Sequence, residues 1–167
     1  LFAYNSTTDA FFGATADAIF TITSPADPEV ALTATISGQT SGDYSTAQFG
    51  TAGGDFLYAV NGTDDPQLFN GTTWTAIDGV STPAITGVTT SGLSQVWSFA
   101  NRLFFVQGGT MVAWYLPVDS IGGAANSFSL AGVFRKGGSL LFGTAWSQDS
   151  GAGLDDKGRL TAEARRA

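Results

Sequence analysis

Short apolar runs separated by glycine- and asparagine-rich turns recur along this chain, and that recurrence limits the fold more than any other feature. Asp55-Phe56-Leu57-Tyr58-Ala59-Val60 reads as a strand, and Asn61-Gly62-Thr63-Asp64-Asp65-Pro66 after it is turn chemistry throughout. Gln67-Leu68-Phe69 is a shorter strand. It meets Asn70-Gly71, a two-residue hairpin signal, and Thr72 to Ile77 returns with Trp74 between two threonines. The pattern repeats in Asn101 to Val106, the turn Gln107-Gly108-Gly109, and Thr110 to Leu116. Ser139 to Trp146 is expected to open a third copy, and Leu1 to Asn5 with Ala10 to Gly13 to be the later half of an earlier one. Leu57, Leu103 and Leu140 then fall 46 and 37 residues apart. Four-stranded propeller blades repeat at about 40–50 residues.

Composition supports an all-β chain. Serine and threonine together number 36 and glycine 22, while apolar residues make up 43%, which is too apolar for a disordered chain. The expected fold is therefore all-β, built of antiparallel four-stranded blade repeats as a partial β-propeller, with a β-sandwich as the alternative. Residues 1–154 form the repeat domain. Residues 155–167, with seven charged side chains, are a tail that frays or forms a short helix. The chain opens at Leu1 without a methionine, which fits a processed or excised piece.

Charge and missing residue types exclude much chemistry. There is no cysteine and no histidine, so thiolate sites, a Ser-His-Asp triad and imidazole acid–base catalysis are out. The net charge is −7, and no lysine or arginine precedes Arg102, which argues against binding nucleic acid or an anionic membrane. No apolar run reaches the ~20 residues that span a bilayer.

Asn101 to Val106, then Met111 to Gly123 through Trp114-Tyr115-Leu116-Pro117-Val118-Asp119, together with Gly132 to Leu140 and Asp149 to Asp156, resemble a family of structural proteins from short-tailed phages and prophages. The resemblance implies a β-propeller-like fold, a tail or head-to-tail role in a virion made in the host cytoplasm, and no catalytic residues. It runs to about Asp156. Family members continue into further strands, whereas Lys157-Gly158-Arg159 begins the charged tail, as a truncation would leave it.

Any enzyme here would have to be built from carboxylates. The adjacent pairs are Asp64-Asp65 and Asp155-Asp156, and paired acids can serve as acid and base in glycoside hydrolysis. Neighbours on an extended chain point to opposite faces, however, and Asp64-Asp65 sits in turn sequence. Asn61, Asp64 and Asp65 lack the acid ladder of a calcium loop, so no metal and no cofactor is expected. Trp74, Trp114 and Tyr115 are the candidates for stacking on a glycan, although aromatics recurring once per hairpin belong to a core.

The sequence thus reads first as a non-enzymatic virion component. It would assemble with itself and other virion proteins through edge strands and through Leu57, Leu103, Phe104, Trp114 and Leu140 on apolar blade faces. A carboxylate-dependent glycoside hydrolase and a carbohydrate-binding module are the alternatives. With two nearly whole blades and two partial ones, against the ~4–8 blades that close a propeller, an open edge remains and self-association is expected.

Overall fold

The computed structural model describes residues 1–22, 32–134 and 136–145. Three antiparallel sheets, each of four strands, follow one another along the chain. The first holds β1 (Phe2–Tyr4), β2 (Ala10–Ala14), β3 (Ala18–Thr21) and β4 (Ala34–Ser37) in that spatial order. The second holds β5 (Ser45–Thr51), β6 (Gly54–Val60), β7 (Gln67–Phe69) and β8 (Trp74–Ala76). After a short strand β9 (Ile85–Thr86), the third sheet takes β10 (Leu93–Phe99), β11 (Arg102–Gln107), β12 (Val112–Tyr115) and β14 (Asn126–Ser129). The strand β13 (Gly123–Ala124) leaves this sheet to pair in parallel with β9. The chain is all-β with four-stranded antiparallel sheets. Among the described residues no barrel closes, consistent with a partial propeller or a sandwich-like fold.

The second sheet is the middle layer, and its sequence explains why. Side chains alternate between faces along a strand, so the unbroken run Phe56 to Val60 supplies apolar groups to both sides. Leu57, with Phe69 of β7, packs against Tyr4, Phe12 and Ile19 of the first sheet. Tyr58, Val60 and Leu68 point the other way, into Leu93, Val96, Leu103 and Phe105 of the third. The Tyr58 hydroxyl is buried and donates to the Ile121 carbonyl. Burial alone pushes that phenol above its ordinary range.

The sheets depart from the sequence expectation in four places. The first thirteen residues are not the later half of a blade. They are the opening two strands of a complete sheet, so the described residues hold three whole four-stranded sheets rather than two nearly whole and two partial ones. Strand β10, over a stretch for which no strand is expected, bulges between Leu93 and Gln95, so that both Leu93 and Val96 face the core and no period-two pattern marks it. Asn70-Gly71 does not make a two-residue hairpin. Phe69 pairs with Trp74, and the Asn70 side chain accepts from the Thr72 and Thr73 amides across a four-residue loop. Finally, Ser139 to Ala145 is not a strand: the third sheet is already completed by β14, and Gly137 and Gly138 have positive φ. Trp146 and the expected domain boundary at 154 lie outside the described residues.

Candidate functional site: the outer face of the third sheet

The alternation that sends Leu103 and Phe105 toward the second sheet sends Phe104 away from it. The register places Trp97 and Tyr115 on either side of Phe104, and Phe128 opposite Ala113. These side chains form one aromatic surface. Trp97 stacks on Phe104 with ring centres 5.4 Å apart and planes 19° from parallel. Tyr115 lies 5.7 Å from Phe104 on the other side, with Phe99 at 6.4 Å. The Arg102 guanidinium carbon sits 5.5 Å from the centre of the Tyr115 ring, and its Nη1 donates to the Leu116 carbonyl at 3.1 Å.

Residues 136–145 run across part of this face as a strap. Leu140 N–H donates to the Thr110 carbonyl at 2.7 Å. The Gln95 side chain clamps Gly143 at both ends of its peptide, accepting from its amide at 2.7 Å and donating to its carbonyl at 3.3 Å. Glycine is required at 143, because a Cβ there would stand 2.5 Å from the Trp97 ring. Between strap and sheet lies an open groove of about 350 Å³, lined by Trp97, Phe104, Tyr115, Phe128, Leu140 and Phe142. Phe99, Phe128 and Phe142 are 54%, 57% and 69% exposed.

The carboxylates named from sequence take different places. Asp64 accepts from the Thr40 amide and hydroxyl, both at 2.8 Å, and from Asn61 Nδ2 at 2.7 Å. Partial burial pulls its pKa up, but these donors outweigh that effect and hold it below the ordinary 3.8. Asp65 turns the other way and accepts from the Thr90 hydroxyl at 2.6 Å. The pair therefore ties the 61–66 loop to two separate connections, 38–43 and 90–92, and the two carboxylates do not converge on one cleft. Nearby, burial first and the Asp64 charge second push the Tyr44 phenol up to about 12. Asp155 and Asp156 lie outside the described residues. Among the described residues no group of three metal-binding side chains forms, and no helix is long and apolar enough to cross a membrane.

Because the folded pKa of Asp64 is depressed, its stabilising contribution is complete above 3.8 and fades as pH falls through the folded value. Asp64→Asn is expected to cost about 1 kcal/mol at neutral pH after solvent screening is allowed for. In urea denaturation the gap from the parent chain should be full at pH 7 and should narrow only as the pH falls below 3.8 and through the lower folded value.

The three aromatics assigned to a glycan platform are not brought together. Trp74 sits between the first two sheets, 4.9 Å from Phe12 and 5.0 Å from Phe69, with its indole nitrogen buried and unpaired. Trp114 faces the second sheet and donates to Gln107 Oε1 at 2.9 Å. Only Tyr115 lies on the outer groove. Of the residues expected on apolar blade faces, Leu57, Leu103 and Trp114 pack between sheets, whereas Phe104 faces outward and Leu140 belongs to the strap. The exposed Phe99, Phe128 and Phe142 escaped the sequence reading. The available signal was Leu103-Phe104-Phe105-Val106, where both parities are apolar and only one can face the second sheet. No protein-family model, curated protein or solved structure matches the chain.

Proposed function

We propose that this chain is a non-enzymatic structural protein of a virion, a tail or head-to-tail component, acting by the stacking of sheet faces and not by catalysis. The observation that carries this reading is the outer face of the third sheet, where exposed Phe99, Phe128 and Phe142 flank Trp97, Phe104 and Tyr115. Contiguous apolar surface of this kind marks sites of interaction. The aspartates lend support, since Asp64 and Asp65 use their acceptor capacity on loop donors from different connections. The virion assignment rests on the resemblance carried by Asn101 to Val106 and Met111 to Gly123. Sedimentation of the full chain across a hundredfold range of concentration tests the reading. A mass that rises with concentration is expected. A single-chain mass throughout, with turnover of aryl glycosides that Asp64→Asn abolishes, would contradict it.

A further inference from the structure

We infer that the outer face of the third sheet receives the outer face of the first sheet of a second copy of this chain, head to tail. The inference rests on the assembly reading above and specifies its partner and geometry. Leu57 and Leu103, one repeat apart, both face the preceding sheet. The next residue in each strand, Tyr58 and Phe104, faces the following one. Tyr58 is covered by the third sheet, with its ring 5.7 Å from Phe105. Phe104 occupies the same place in the repeat, and there the described residues supply only the strap. The surface awaiting a layer therefore continues an interface that the chain already forms twice.

The matching surface lies at the other end of the stack. Phe12 faces the second sheet, so Phe11 and Gly13 face away. The register sets Ala3 opposite Phe11 and Phe20 opposite Gly13. This face is apolar, carrying Ala3, Phe11, Gly13 and Phe20, with the Ile22 side chain set against Gly13. Charge agrees with the pairing. Among the described residues the basic side chains, Arg102 and Lys136, both lie at the third-sheet end, which also carries Asp119, while the turns of the first sheet carry Asp9 and Asp17. Two copies meeting this way at both ends would bring together the six four-stranded sheets of their described residues, within the ~4–8 blades that propellers hold.

The contact is heterologous, which makes it separable from a like-with-like dimer. Sedimentation of the full chain from about 1 to about 100 µM should give a two-chain mass. Phe128→Asp and Phe11→Asp, placed on opposite faces at exposed positions, should each weaken association by about 100-fold or more, because each carries a charge into the contact. An equimolar mixture of the two variants should recover a two-chain species, since each retains the face the other lacks. Circular dichroism checks that both fold, and Phe99→Asp with Ala3→Asp forms a second pair if either does not. Loss of association with Phe128→Asp but not with Phe11→Asp would overturn the inference while leaving assembly through the third sheet standing. Failure of the mixture to recover would overturn it as well. A single-chain mass at every concentration, or a pair insensitive to both variants, would overturn the inference together with the end-face reading.

Discussion

Replacing Tyr58 with alanine is expected to cost about 3–5 kcal/mol of folding stability, seen as a fall in Tm of roughly 10 °C or more. The side chain is fully buried, stands edge-on to Phe105, and closes the contact between the second and third sheets. Removing it leaves a cavity that two hydrogen-bonded sheets cannot easily collapse, and it strips the Ile121 carbonyl of its donor. Tyr58→Phe isolates the second effect. It retains the ring and should cost about 1–2 kcal/mol. Thermal melts followed by circular dichroism measure both, and a loss below about 1 kcal/mol for the alanine variant would be incompatible with a stacked middle sheet.

Phe12→Ala is expected to cost a similar amount, about 3–5 kcal/mol, but with a different distribution. Phe12 is 1% exposed and meets Phe2 at 5.7 Å, Phe69 at 5.0 Å and Trp74 at 4.9 Å. It holds the first sheet to the second, and the first sheet is an end layer. In a stack whose layers touch only their neighbours, damage at one end loosens that layer first. Hydrogen exchange should therefore lose protection in β1 to β3 while β10 and β11 retain theirs. The Tyr58 variant, cut in the middle layer, should lose protection in all three sheets. An even loss across the chain in Phe12→Ala would show that the layers open as one unit.

Much of the architecture was legible because some strands carry their own evidence. The runs around Leu57 and Leu103 are continuous and apolar, since each serves a sheet with neighbours to satisfy, and β6, β7, β11 and β12 fall where those runs predict. The strands that were missed depend on partners. In β5, Ala47 and Phe49 are separated by Gln48 and gain meaning only beside Tyr58 and Phe56. In β10 the bulge hides the alternation, and in β14 all four residues are exposed, so no burial pattern marks the strand. Leu140 looked like Leu57 because Gly137-Gly138 and a following apolar run imitate a turn and strand. With β14 in the edge position, the run instead lies over the sheet face.

The candidate site was legible only in part for a related reason. Which parity of a doubly apolar strand faces solvent is decided by what stacks on it, and that information is tertiary. Trp114 and Tyr115 are neighbours in sequence and both candidates for stacking on a glycan, yet they belong to opposite faces, and Trp114 packs in the core between sheets. Asp64 and Asp65 illustrate the same rule, with one side chain turned to Thr40 and the other to Thr90. Asp64 is thereby tied to the 38–43 connection and Asp65 to the 90–92 turn.

The most direct test of head-to-tail stacking uses the absence of cysteine from this chain. Phe128→Cys and Phe11→Cys each introduce a single thiol on one end face, and a short bismaleimide can join thiols that approach across a contact. Mixing the two variants should give a covalent pair containing one of each, in clear excess over either variant joined to itself. A product made chiefly of Phe128→Cys joined to itself, or no joined product at concentrations where the chain sediments as a pair, would contradict the account.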